Sequence, residues 1–145
     1  MTNAYHTSSD FEAKIRAFAL QLGMEARRDL PRLLILSDLS SDDLRALYAT
    51  ADVLVQPSRG EGWGRPHCEA MAMEVPVIAT NWSGVTEYMT EHNSYPLRYE
   101  GLELVGEGAF ADHRWAAPSV THLRELLRQA VEDPEERRRR GAQAR

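Results

Sequence analysis

Apolar residues along this chain fall into helical stripes and short continuous runs. Phe11, Ile15, Phe18, Ala19 and Leu22 are spaced as one helix face, with Gly23 as a stop. Ser9 with Glu12 forms a capping-box pattern at its start. Past Pro31, the run Leu33-Leu34-Ile35-Leu36 predicts a short buried strand. Ser40 with Asp43 repeats the capping pattern, and Leu44, Leu47, Tyr48 and Ala51 continue it as a second helix face. Val53-Leu54-Val55 predicts a strand closed by Pro57, followed by a glycine-rich loop from Ser58 to Arg65. Pro66 suits the first position of a helix running to about Met73, because its missing N–H would be unpaired there anyway. Val75-Pro76-Val77-Ile78-Ala79-Thr80 predicts a third strand, with proline near its start, where it is tolerated. Asn81-Trp82-Ser83-Gly84 is a turn, and a short helix follows from Val85 to Met89. Residues 95–99 predict a weak fourth strand, and 100–118 predict irregular chain. Ser119 caps a helix with Val120, Leu123, Leu127, Ala130 and Val131 on one face, which Pro134 interrupts. Residues 134–145 form a charged helical or frayed tail, and residues 1–8 a polar lead-in.

Short apolar strands alternating with amphipathic helices predict a parallel sheet covered on both faces, a doubly wound α/β domain. Ligands of such sheets bind outside the carboxyl ends of the strands. The loop at 57–65 and the turn at 81–84 each follow a strand directly, so both belong on that rim.

Charge narrows the function classes. The 145 residues carry a formal net charge of -5, without the basic surplus of a nucleic-acid binder. Arg137-Arg138-Arg139-Arg140 follows Glu132, Asp133, Glu135 and Glu136 at spacings that make salt-bridged helix faces. Cys68 is the single cysteine, so no internal disulfide forms, which fits a reducing, cytoplasmic setting. No window holds the roughly 18 apolar residues of a spanning helix, and residues 1–7 show no signal-peptide pattern.

The segment richest in chemistry is Pro57-Ser58-Arg59-Gly60-Glu61-Gly62-Trp63-Gly64-Arg65-Pro66-His67-Cys68-Glu69. Its glycines permit positive φ and close approach of a ligand. The helix that follows presents unpaired N–H groups and a partial positive charge, which suits a diphosphate. Glu61 and Glu69 bracket the loop. Each could accept hydrogen bonds from adjacent sugar hydroxyls, or Glu69 could serve its helix's first turn. His67 and Cys68 are adjacent, without a second Cys or His at metal-ligand spacing. His67 reads as a cleft-wall or rim residue and Cys68 as core.

Glu61 and Glu69 hold the two glutamates of an E-x7-E pattern, and the stretch resembles the retaining GT-B glycosyltransferases. The resemblance is closest over residues 40–90, from Ser41-Asp42-Asp43-Leu44 through Val53-Leu54-Val55 to Pro76-Val77-Ile78-Ala79-Thr80 and Ser83-Gly84-Val85-Thr86-Glu87. It implies a Rossmann-like fold, the incomplete C-terminal half of a GT-B enzyme, serving as a partial nucleotide-sugar-binding domain. The implied donor is a UDP- or GDP-sugar, whose hexose is transferred with retention and without a required metal or cofactor. Glu61 would hydrogen-bond the donor sugar as the catalytic-site glutamate. Gly62, Trp63 and Gly64 would line the sugar and phosphate pocket, Glu69 would hold the ribose, and Ser83, Gly84 and Glu87 would complete the site.

The family's Arg and Lys from an earlier strand–loop–helix have no counterpart here, and Lys14, Arg16, Arg27 and Arg28 do not match them. An N-terminal acceptor-binding domain is the implied missing partner, so catalysis by this stretch alone is not expected. The alternative is a non-catalytic glycosyltransferase-like structural or interaction module. A third candidate, a sugar epimerase, lacks its early G-x-G-x-x-G opening. An incomplete sheet leaves an unpaired edge, which predicts self-association. Glu74 stands where the family often has a helix-ending glycine.

Overall fold

The computed structural model describes residues 10–24, 32–106 and 108–145. The chain divides into two compact units, residues 1–44 and 45–145.

In the first unit, helix α1 (Phe11–Gln21) buries Ala19 and is followed by Gly23, as expected. Ser9 of the proposed cap and Pro31 lie outside the described residues. Helix α2 (Ser41–Thr50), whose residues from Arg45 onward belong to the second unit, begins behind a real cap: the Asp43 amide donates to Ser40 Oγ at 3.1 Å, and that hydroxyl donates to the Asp43 carboxylate at 2.6 Å. The strand expected at 33–36 is not formed, and Leu33, Leu34 and Leu36 are exposed. A strand exists only through paired backbone groups, and among the described residues this run has no pairing partner.

The second unit holds a three-stranded parallel sheet in the order β1 (Leu54–Gln56), β2 (Val77–Thr80), β3 (Tyr95–Leu97). Val55 pairs with Ile78, and Ala79 with Pro96. Helix α3 (Arg65–Ala72) connects β1 to β2 and packs on both. All four residues of β2 are buried. Successive strand residues point to opposite faces, so both faces of the sheet are covered. On one face Ile78, Tyr95 and Leu97 pack against Leu126 and Ala130 of α4 (Val120–Glu132). Ser119 caps α4 as expected. Its last turn meets Asp133, whose carboxylate caps α5 (Pro134–Ala144) through the Glu136 amide at 2.9 Å. Pro134 therefore starts a second helix rather than merely ending the first.

The stretch 100–118, expected to be irregular, takes part in regular pairing among its described residues. With Tyr99 it forms an antiparallel ribbon of β4 (Tyr99–Leu104) and β5 (Arg114–Pro118). A two-stranded ribbon is marginal by itself, and this one is stapled from outside. The Ala116 amide donates to the Arg59 carbonyl at 2.9 Å. The Arg59 side chain reaches back to the Ala116 carbonyl at 3.3 Å and pairs with Glu103 at 2.6 Å. Local sequence periodicity carries no trace of such a distant partner.

Helix α5 latches the unit together. Arg137 pairs with Asp52 at 2.7 Å, and Arg140 lies 4.4 Å from the centre of the Tyr95 ring while donating to the Ser94 carbonyl. Hydrogen bonds from Arg139 and Arg140 hold the Glu136 carboxyl down at about 2. Gly141 is buried against the turn at Glu74, where an added Cβ would lie 2.1 Å from the Glu74 carbonyl oxygen. That turn ends α3 as a Schellman motif: the Val75 amide donates to Ala70 O and the Glu74 amide to Met71 O, each at 3.0 Å. Glu74 takes φ 60, the left-handed position where glycine carries no Cβ penalty.

Gly141→Ala should destabilise the chain by about 1–3 kcal/mol in urea unfolding, because the obstructing atom is backbone and cannot yield cheaply. Glu74→Gly should be more stable than Glu74→Ala by about 1 kcal/mol, since both lose the exposed Arg145 contact but only glycine relieves the strained φ. Equal midpoints for those two variants would contradict the strain.

Candidate functional site

Parallel pairing puts the carboxyl ends of β1 and β2 on one rim, and the segments leaving them meet there. The Glu61 amide donates to Ser83 Oγ at 2.8 Å, and the Gly84 amide donates to the Glu61 carbonyl at 3.0 Å. Gly84 must be glycine for space, because a Cβ would lie 2.0 Å from the Gly62 oxygen. Ser83 takes φ 64, bringing its hydroxyl to the loop. The two segments expected on one rim are thus bonded to each other, with Ser83 and Gly84 acting directly on the loop backbone.

The loop turns into α3 at Gly64, with φ 79. A Cβ there would lie 2.5 Å from His67 Nδ1 and 2.9 Å from both the Tyr88 hydroxyl and a Val85 methyl. The Gly64 carbonyl accepts from the His67 and Cys68 amides at 3.0 and 3.2 Å. Pro66 has no N–H. Among the described residues the amides of Gly62, Trp63, Gly64 and Arg65 find no acceptor, leaving four consecutive donors open. A run of backbone N–H groups at a helix N-terminus is an anion-binding arrangement. Gly62 is exposed, and a Cβ there would meet nothing within 4 Å, so the fold itself does not require glycine at that position.

The carboxylates sit differently. Glu61 is half-buried and accepts a hydrogen bond from the Gln56 side-chain amide at 3.0 Å, which orients it from β1. Glu69 lies one turn into α3, with Arg65 Nη2 at 3.3 Å and the Tyr48 hydroxyl at 3.4 Å. Its side chain is 38% exposed, leaving room for another donor. Burial, reinforced by Glu69, raises the Tyr48 phenol, so it stays a hydrogen-bond donor. Trp63 is exposed and packs on Tyr88 with ring centres 5.2 Å apart. Glu87 ends the Ser83–Glu87 3-10 turn, and among the described residues its exposed carboxylate makes no hydrogen bond or ion pair.

Two residues differ from expectation. His67 is wholly buried, not on a rim, because the αL corner at Gly64 folds the loop over it. Its Nδ1 lies 3.2 Å from the Gly64 carbonyl oxygen, which can only accept, so this contact is a hydrogen bond in the Nδ1–H tautomer; Nε2 makes no hydrogen bond. Cys68 is partly exposed instead of core, and it lines a pocket of about 320 Å³ with Trp63, Met71, Tyr88 and Asn93. Tyr88 had no periodic or motif signal, yet it donates to the Trp63 carbonyl at 2.6 Å and lies 3.3 Å from that of Gly64.

Burial lowers the His67 proton affinity, opposed by Glu61 and by the carbonyls of Gly64 and Gln56. In the unfolded chain this ring titrates near ~6.5. As pH falls through that value the unfolded chain gains a proton that the folded chain resists, so stability is present above it and declines below it. His67→Asn should show a shallower loss of urea midpoint between pH 7.5 and 5.5 than the parent chain; equal slopes would exclude His67 as the source.

A family model described as glycosyl transferases group 1 matches residues 14–145. Over 64 residues the chain is 38% identical to the O-antigen chain mannosyltransferase RfbU of Salmonella typhimurium, covering 44% of this chain and 18% of that protein. Two solved structures share the fold. The C-terminal domain of a glycosyl transferase group 1 family protein (LpcC) from Francisella tularensis superposes with a TM-score of 0.67 and 22% identity, over 94% of this chain and 59% of that one. Anabaena HepE in complex with UDP-glucose gives a TM-score of 0.66 and 19% identity, over 94% of this chain and 31% of that one. The present chain therefore spans less than two thirds of the length of each.

Proposed function

This chain belongs to the group 1 glycosyl transferases, and from that premise we propose that residues 45–145 receive the nucleoside diphosphate part of a sugar donor. One observation carries the reading: four open backbone amides, from Gly62 to Arg65, lie between two carboxylates at the carboxyl rim of a parallel sheet. The amides would take phosphate oxygens, aided by the partial positive charge at the start of α3. The same donors would stabilise negative charge growing on the leaving diphosphate as the glycosidic bond breaks. Glu69, held between Arg65 and Tyr48, would accept hydrogen bonds from the ribose hydroxyls. Glu61, oriented by Gln56, would hydrogen-bond the hexose. Gly62 leaves open space where the donor approaches, with Trp63 beside it; Ser83 and Gly84 hold the loop. Glu87 would complete the pocket on the ligand's arrival.

The transfer itself, with retention at the anomeric carbon, is proposed for a protein that also supplies an acceptor-binding half. The relatives favour a hexose donor, one being named a mannosyltransferase and another being solved with UDP-glucose.

The reading is tested by saturation-transfer-difference NMR of this chain with UDP, GDP and ADP. Ribose and base signals are expected for the matching nucleotide, to be lost in Glu69→Ala. Gly62→Ala should fold with an unchanged unfolding midpoint and bind the nucleotide at least tenfold more weakly, since only a ligand has reason to need that space. Full binding by both variants would sink the assignment of this loop as the donor site.

A further inference from the structure

The loop corner is held from two sides by side chains whose chemistry the fold alone does not require. His67 comes from α3, and its Nδ1 lies 3.2 Å from the Gly64 carbonyl oxygen, a hydrogen bond in the Nδ1–H tautomer. Tyr88 comes from the segment after the 3-10 turn, and its hydroxyl meets the Trp63 carbonyl at 2.6 Å and lies 3.3 Å from that of Gly64. The Gly64 backbone fits between the two groups with no space for a Cβ. Burying an imidazole with an unpartnered Nε2 costs free energy that an apolar residue of similar size would avoid. The hydrogen bond at Nδ1 is what the histidine offers in return. Tyr88 is likewise kept as a neutral donor: burial raises its hydroxyl well above the ordinary phenol range, helped by the neighbouring Cys68 and Glu61.

Both bonds fall on carbonyls, and orienting a peptide carbonyl orients the N–H of the same peptide plane. The Trp63 carbonyl shares its plane with the Gly64 amide, and the Gly64 carbonyl shares its plane with the Arg65 amide. These are two of the four open donors. We infer that His67 and Tyr88 form a positioning clamp that aligns the Gly64 and Arg65 amides toward an anionic ligand before it arrives. Neither residue need touch the ligand. Their contribution is preorganisation, which strengthens binding by removing the ordering cost from the binding step. The inference rests on the donor reading for its ligand but not for the clamp itself.

Backbone 15N relaxation of the whole chain at pH 7.5 tests the clamp without any ligand. In the parent chain, order parameters at Gly64 and Arg65 should be near the rigid value of ~0.85. Tyr88→Phe, which removes one oxygen, and His67→Leu should lower them toward ~0.6 while Ile78 in β2 keeps its parent value. His67→Asn places an amide nitrogen close to the Nδ1 position and should restore order. His67→Gln reaches toward the Nε2 position and should not. A filler role for His67 would instead be served by Leu and lost by Asn. Uridine or guanosine diphosphate, whichever the parent chain binds, should bind about threefold to tenfold more weakly to Tyr88→Phe and His67→Leu. Unchanged order at both residues in Tyr88→Phe and His67→Leu would overturn the clamp. So would loss of order equally in His67→Asn and His67→Leu. A parent chain that binds no nucleotide, yet loses loop order in these variants, would overturn the donor reading and leave the clamp standing.

Discussion

Everything at the rim depends on one backbone corner with no room for a side chain. At Gly64 the chain leaves a loop and enters a helix, turning through a left-handed conformation. His67, Tyr88 and Val85 fill the space that any Cβ would need. Because the corner is closed so tightly, the Gly64 carbonyl is saturated by donors while the amides around it stay open. The asymmetry leaves a run of unpaired backbone donors beside a polar support of His67 and Tyr88. Gly84 makes the same kind of close approach from the neighbouring turn, so two glycines without side chains set how near the two segments come.

The corner is only as fixed as the helix behind it. Helix α3 is anchored at its far end by the Schellman turn through Glu74, and Gly141 of α5 sits directly on that turn. α5 is in turn tied to Asp52, just before β1, and to the Tyr95 ring of β3. The C-terminal helix thus braces both the strand that leads into the loop and the helix that leaves it. Its ion pairs are mostly partly exposed and individually weak; the backbone contact at Gly141 has no exposed substitute.

Arg59 links the loop to the rest of the rim. Arg59 lies two residues before Glu61, its backbone takes part in the ribbon's hydrogen bonding, and its side chain pairs with Glu103. The ribbon is therefore part of the loop's support and not a loose excursion between β3 and α4. Trp82 packing against Tyr99 adds a second tie between the turn after β2 and the ribbon.

The alternation of apolar runs and helical stripes was enough to specify a parallel α/β domain and to put the 57–65 loop and 81–84 turn on one rim, because burial pattern and chain order are written locally. The caps at Ser40 and Ser119, the helix start around Pro66 and the paired charges of α5 are local too, each decided within four residues. The candidate carboxylates Glu61 and Glu69 bracket the glycines in sequence, and their expected roles came from the family resemblance of residues 40–90 rather than from spacing alone. What sequence could not reach were arrangements closed by distant partners. The run at 33–36 had the composition of a strand but no strand to pair with among the described residues, whereas 100–118 lacked periodicity yet contributes to a ribbon that Arg59 ties to the loop. His67 read as a cleft-wall or rim residue from its place beside the glycine-rich loop; only the fold of the loop over it decided its burial. Tyr88 had no sequence signal at all, since its role depends on a hydroxyl reaching carbonyls more than twenty residues away. Local periodicity reports which way a side chain faces within its own element, and tertiary contact alone determines what it meets there.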